Sequence, residues 1–447
     1  MRNVKSQKKI LVLKKKNIIK IPFQDKHSKK RPSFYFAMSF QDVLKRGDEF
    51  LNDYPRTNPF WNLASHATCL FMITGSKIIL NTFYKPVLHN IEKLDNALQR
   101  ARDENRGLLT VMNHMSVVDD PAFYASLPWR YHLDIDTIRW GFGAHNICFS
   151  NVFQSWFFNL GKILGTKRFG EGPFQGSLDA AIRILSPDDT LDLEFTPGVK
   201  DEQKAVVLQI VNNITDCRNK ELVKFIKPAP ESTNVLMSKN PFIRTKTSWF
   251  HVFPEGFVLQ LQEPHNNSMR YFKWGVSRLI LESTRTPIVV PLFSFGFEKV
   301  APEDSAEEGL KRWLPANFGA EIHVCIGDPI KDDVLESYRE QWRSLVSKYV
   351  DKSNPTDLSD ELKTGSKAQS LRSDLAGYLR EKVLEIRNEI GLFNPEDKRF
   401  KDPKFWKLFT NTEGLSDPSV KFVGKNWAIK RLQSHLPEYD PSEDTKN

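Results

Sequence analysis

The chain has 447 residues, 40% of them hydrophobic and 12% aromatic, which is enough to bury a sizeable core in one large domain or two and excludes an intrinsically disordered protein. The formal net charge is +9, yet residues 1–37 hold twelve Lys or Arg against one acid, Asp25, so they carry +11 and the rest of the chain sums to −2. With basicity confined to one end, no general basic face is expected on the folded part, and a nucleic-acid partner is excluded.

Taken in chain order, residues 1–37 are a basic, Lys-rich extension expected to be disordered, serving as a targeting sequence or attracting anionic lipid. Residues 38–106 read as an N-terminal membrane-associated helical region. No Asp, Glu, Lys or Arg occurs from Asn58 to Ser76, but Asn58, Asn62, Ser65, His66, Thr68 and Thr74 dilute the apolar run. Polar groups at bilayer depth are costly, so a helix lying in the membrane interface is expected over one that crosses; a core helix of a soluble domain is the plainer alternative.

Residues 107–330 read as an α/β domain. Strands are predicted at Gly107–Met112, Thr190–Thr196, Trp249–Pro254, Pro287–Phe295 and Glu321–Gly327, separated by helical stretches. After the first strand, Asp120 and Pro121 are placed as the N-cap and first residue of a helix. Residues 198–247 form an insertion loop of mixed charge. In Met269–Leu281 the spacing puts Met269, Phe272, Val276, Leu279 and Ile280 on one helical face, with Arg270, Ser277 and Arg278 falling away from it. That pattern suits a helix on the sheet with its basic face in water, or one at a headgroup boundary. Residues 331–447 form a C-terminal helical region and tail, in which Ser366–Ile390 is a packing helix with Leu371, Leu375, Leu379, Ile386 and Ile390 largely on one side. The cysteines, Cys69, Cys148, Cys217 and Cys325, are scattered without C-x2-C spacing, so neither a disulfide framework nor a zinc site is expected.

The chemistry concentrates in Leu108–Pro121, LLTVMNHMSVVDDP. An apolar strand delivers His114 and Asp119 into a turn. On a regular helix, residues five apart point about 140° away from each other, whereas a turn folds the carboxylate back onto the imidazole. A neutral imidazole held through Nδ1–H presents its Nε2 lone pair outward and can deprotonate an alcohol. There is no G-x-S-x-G elbow and the cysteines lie far from the pair in sequence, so no enzyme nucleophile of the usual type stands nearby and a substrate alcohol is the candidate. On this motif alone the bland reading, a Ser116–Asp119 capping box beside a core histidine, stands equally.

His114, four residues, then Asp119 matches the H-x4-D block of the glycerolipid acyltransferase family. Further segments resemble its tafazzin branch in order: GAHNICF at Gly143–Phe149, GTKRFGEGPFQGS at Gly165–Ser177, LSPDDTLDLEFTP at Leu185–Pro197, HVFPEGF at His251–Phe257, NSMRYFKWG at Asn267–Gly275 and TPIVVPLFSFGFEK at Thr286–Lys299. The resemblance covers roughly Met38 to Arg431. It implies an α/β fold with a central mixed β-sheet flanked by helices, as in glycerol-phosphate acyltransferases, with interfacial membrane helices.

The resemblance further implies a phospholipid–lysophospholipid transacylase that works without acyl-CoA and remodels cardiolipin, with phosphatidylcholine as a partner lipid and no cofactor or metal. It implies a monotopic protein of the mitochondrial inner and outer membranes facing the intermembrane space, with membrane protein complexes as further partners. His114 takes the base role and Asp119 orients it. Arg168 aligns with the family's phosphate-holding arginine, assisted by Lys167, and Asn113 and Asp120 flank the pair. Glu255 and Gly256 open the third block, where Glu255 binds glycerol hydroxyls or positions its loop. Phe257 and Val258 replace the Thr-Arg of acyl-CoA-using members, which puts that branch's roles in doubt here. An acyl-CoA-dependent lysophospholipid or glycerol-phosphate acyltransferase is the nearest alternative, and a non-catalytic membrane scaffold a distant one.

Overall fold

The computed structural model describes residues 12–14, 17–19, 59–167, 172–186, 248–261, 263–302, 316–349 and 358–407. The chain divides into two units, Met1–Ser39 and Phe40–Asn447. In the first, β1 (Val12–Lys14) pairs antiparallel with β2 (Asn17–Ile19), Val12 opposite Ile19. This short hairpin lies in a stretch expected to carry no structure, and its Val12, Ile18 and Ile19 are residues that favour a pleated strand.

The second unit begins with α1 (Pro59–Phe83), whose proline needs no hydrogen bond at a helix start. Trp61, Ser65, Cys69, Ile73 and Leu80 recur at helical spacing and are buried. Trp61 stacks on Trp140 and the Ser65 hydroxyl donates to Leu160 O at 2.6 Å. The opposite face is apolar too, and there Phe60, Leu63, Phe71 and Ile78 are 63%, 71%, 74% and 62% exposed. The helix is long and apolar enough to cross a membrane, but one side of it is committed to the domain.

Seven strands form one sheet: β3 (Lys85–His89), β4 (Leu108–Met112), β5 (Trp140–Ala144), β6 (Ile163–Thr166), β7 (Trp249–Val252), β8 (Ile288–Phe295) and β9 (Glu321–Ile326), in the order β3-β9-β8-β4-β7-β5-β6. From β8 to β6 the five strands run parallel, while β9 pairs antiparallel with β8 and parallel with β3, so the sheet is mixed. Both β4 and β7 are buried along their whole length, as strands covered on two faces must be. The helices that follow in chain order are α2 (Ile91–Asp103), α3 (Asp119–Ser126), α4 (His145–Cys148), α5 (Val152–Leu160), α6 (Gly176–Leu185), α7 (Gly275–Leu281), α8 (Phe297–Val300), α9 (Asp332–Tyr349), α10 (Asp360–Thr364), α11 (Ser366–Ile390) and α12 (Pro403–Lys407), of which α2 to α6 and α11 pack directly on strands of the sheet.

Four of the five predicted strands appear at the expected places; Thr190–Thr196 and the 198–247 insertion lie outside the described residues. Strands β3, β5 and β6 were not expected, and β3 lies within residues 38–106, read as a membrane-associated helical region. The predicted helix over Met269–Leu281 is corrected: only Gly275–Leu281 is helical, and Arg270, Ser277 and Arg278, expected to face water, are 0% exposed. Arg278 is neutralised by Asp179 at 2.8 Å and Glu282 at 2.6 Å, and Arg270 lies over the rings of Phe257, Tyr271 and Trp406. Helix α3 starts at Asp119, with Asp119 and Asp120 both in its first turn and Val118 at the cap, two positions earlier than expected.

Candidate active site

The parallel strands β4, β7, β5, β6 and β8 end on one side of the sheet, the side on which α/β folds place their ligands. Strand β4 runs directly into Asn113 and His114. The turn that follows is tied by a single oxygen: Asp119 Oδ2 accepts from His114 Nδ1 at 2.8 Å, from Met115 N at 2.6 Å and from Ser116 N at 2.9 Å. The bond to Ser116 N is half of the expected capping box, so the bland and the chemical readings of the motif hold together. The carboxylate that closes the turn is the one that grips the imidazole.

Because a carboxylate only accepts, the imidazole carries its proton on Nδ1 and leaves Nε2 with a lone pair. The His114 side chain is 22% exposed against 0% for Asp119, a reactive atom open to a substrate above a sealed partner. Burial pushes the Asp119 carboxyl above its ordinary range, opposed by His114 and by the two N–H groups. Phe253, at the end of β7, stacks on the His114 ring with centroids 4.4 Å apart and fixes its plane.

The main chain of His114 is held from the β7 side. Its N–H donates to Glu255 Oε1 at 2.8 Å and its carbonyl accepts from Leu259 N at 2.9 Å. The second Glu255 oxygen accepts from Arg270 N at 3.0 Å. With Glu255 only 1% exposed, both oxygens accept from main-chain donors. Burial pushes its carboxyl up to about 8, against the pull of the His114 and Arg270 N–H groups and of the Arg380 and Arg270 charges. Gly256 adopts φ +80°, and a side chain there would also sit 3.1 Å from Lys273, so the turn after Glu255 requires glycine.

The flanking residues do structural work. Asn113 exchanges hydrogen bonds with Ser294, Nδ2 to Ser294 O at 2.9 Å and Ser294 N to Oδ1 at 2.8 Å, extending the β4–β8 pairing by a side chain. Asp120 is held by Arg139, with Nε to Oδ1 at 2.8 Å, and links α3 to the start of β5. Lys167 follows β6, its N–H donating to Gln175 Oε1 at 2.8 Å. It lies beside His145, whose pKa is lowered first by burial and then by the Lys167 charge. Arg168 lies outside the described residues. No cluster of three metal-ligating side chains occurs among the described residues. Sequence reasoning gave no site role to Phe253, Leu259, Arg270 or Arg380; the quoted segments HVFPEGF and NSMRYFKWG contained Phe253 and Arg270, but nothing local marked Leu259 or Arg380.

No family model matches the chain. It is 54% identical over 400 residues, covering 90% of this chain and 97% of the relative, to a protein of Saccharomyces cerevisiae named tafazzin. It is 27% identical over 281 residues to a Dictyostelium discoideum protein named taffazin, covering 62% of this chain and 70% of the relative. It is 29% identical over 259 residues, 58% of this chain and 68% of the relative, to an N-acylphosphatidylethanolamine synthase of Arabidopsis thaliana. Among solved structures, the 1-acyl-sn-glycerophosphate acyltransferase PlsC of Thermotoga maritima matches at 12% identity and a TM-score of 0.32, covering 71% of this chain and 94% of that one.

Proposed function

Because this chain belongs to the tafazzin family, we propose that its site moves an acyl chain from a phospholipid to a lysophospholipid without acyl-CoA, remodelling cardiolipin. His114 Nε2 takes the proton from the acceptor's free hydroxyl. The oxygen then attacks the carbonyl carbon of the donor's acyl ester. The tetrahedral intermediate collapses by breaking the bond to the donor's glycerol oxygen, which leaves with the proton from the imidazolium. Atoms and charge balance, and no acyl-protein adduct forms. Asp119 holds the tautomer and stabilises the imidazolium between the two proton transfers. The observation that carries this reading is the 2.8 Å contact from His114 Nδ1 to a fully buried carboxylate.

The substrates are lipids with one to four acyl chains, and each CH₂ drawn from a bilayer into water costs about 0.8 kcal/mol, so the enzyme works at the membrane. The exposed apolar face of α1 supports docking in the interface, with the other face on the domain. We place the protein on mitochondrial inner and outer membranes, facing the intermembrane space, with phosphatidylcholine as a donor and Lys167 and Arg168 at the phosphate. The test supplies purified protein in liposomes with labelled phosphatidylcholine and a lysocardiolipin while CoA is omitted. Wild type transfers label and His114→Ala does not, although it still floats with the vesicles. Transfer only when acyl-CoA is added would assign the chain to the CoA-dependent chemistry instead.

A further inference from the structure

The segment from Asn266 to Lys273 is not helical or extended in a sheet, yet Asn267, Ser268, Met269 and Arg270 are buried. Buried main-chain groups outside regular structure have to find partners elsewhere. They find them on α11. Arg380 donates from Nε to Arg270 O at 3.0 Å and from Nη2 to Met269 O at 2.8 Å. Arg387, seven residues on and so on the same face, donates from Nε to Asn267 O at 2.8 Å. Glu396 completes the clamp: its Oε1 accepts from Met269 N at 2.6 Å, and its Oε2 pairs with Arg380. From the clamped residues, Arg270 N–H reaches Glu255 and Glu255 reaches His114 N–H.

We infer that Arg380, braced by Glu396, is a positioning residue for acyl transfer, holding Met269 and Arg270 so that Glu255 fixes the main chain of His114. The inference rests on His114 being the base. An arginine fork suits the task because its planar donors meet two carbonyls and a carboxylate at once, which an ammonium cannot match in geometry. The charged groups bearing on Glu255 are Arg380 from the C-terminal region and Arg270 on its own loop, with Lys273 against Gly256 and His114, backed by Asp119, at its Oε1; Glu396 bears on Arg380. Glu255 accepts from both N–H groups best as the ionised carboxylate. Transfer therefore rises with pH as Glu255 loses its proton, and the Arg380 charge holds that rise at lower pH.

The experiment measures kcat and KM for the lysophospholipid across neutral and alkaline pH, on full-length protein in liposomes. Arg380→Gln lowers kcat roughly 10- to 100-fold with KM little changed, since misplacement of a catalytic group acts on the chemical step. It also moves the rising limb to higher pH. Arg380→Lys returns the limb towards wild type and recovers part of kcat. Glu396→Gln moves the limb the other way, because Arg380 is then uncompensated. Arg372→Gln, on the same buried helix but donating to Leu362 O, lowers thermal stability and leaves the limb in place. A wild-type limb and kcat in Arg380→Gln, or the same shift in Arg372→Gln, overturns the inference. If Arg380→Gln does not fold, Glu396→Gln decides, and a limb that fails to move down overturns it. Transfer surviving in His114→Ala would instead sink the base assignment.

Discussion

Asp119→Asn tests how the acid supports the base, and the structure gives an unusual expectation. All three donors around Asp119 converge on Oδ2, while Oδ1 has no hydrogen-bond partner among the described residues. An asparagine therefore places its oxygen at the Oδ2 position and its amide where Oδ1 was. His114 keeps its Nδ1–H and its outward lone pair, and only the negative charge is lost. A charged acceptor within about 4 Å of the imidazolium is worth about 2–4 kcal/mol over a neutral one in a partly solvated site. At 1.36 kcal/mol per decade, kcat falls roughly 30- to 900-fold. Had the amide turned its NH₂ to the ring, the wrong tautomer would cost on the order of 10⁴. Asp119→Ala leaves Met115 N–H and Ser116 N–H without an acceptor, at about 1–3 kcal/mol of stability each, and frees the tautomer as well. The assay is transfer of labelled acyl chain at saturating acceptor, with thermal melts alongside. An asparagine variant as dead as the alanine variant refutes the reasoning about Oδ2, and one as active as wild type refutes the role of the charge.

Glu255→Gln keeps a neutral side chain at this position at every pH, so its effect is read from how the melting temperature varies with pH. The pH dependence of stability has a definite sign: the folded carboxyl titrates at about 8 against an ordinary 4.5, so its contribution is fully present below pH 4.5 and is lost as pH rises through 8. Wild type thus gains stability on acidification across that window, and the Gln variant shows a flatter profile; parallel profiles would contradict the assignment. On α1, Leu63→Ser with Phe71→Ser removes two exposed apolar side chains, together worth about 3 kcal/mol or more if lipid covers them. Vesicle partitioning in flotation should weaken more than a hundredfold with the fold intact, and unchanged flotation would mean that this face does not meet the membrane.

The local parts of this protein were determined by the sequence. His114 and Asp119 are five residues apart in a turn, so their contact depends on few torsions, and the buried strands β4, β7 and β8 announce themselves as apolar runs bounded by breakers. Helix α11 was legible because its apolar side repeats over 25 residues. Strands β3, β5 and β6 were not: β3 is a part-exposed edge strand containing Pro86, β5 holds Gly141 and Gly143, and β6 is only four residues long. Each lacks the strand propensity or length that a pattern needs, and each forms because a neighbour supplies its hydrogen bonds. Only the tertiary structure decided what the charges do. Arg270, Arg278 and Arg380 look like surface residues in any window: Glu282 stands four residues from Arg278, but its second acid Asp179, the rings over Arg270, and the carbonyls and Glu396 that hold Arg380 come from more distant parts of the chain. The same distance hid the second grip on His114, where Glu255 arrives from 141 residues away once the sheet has brought two strand ends together.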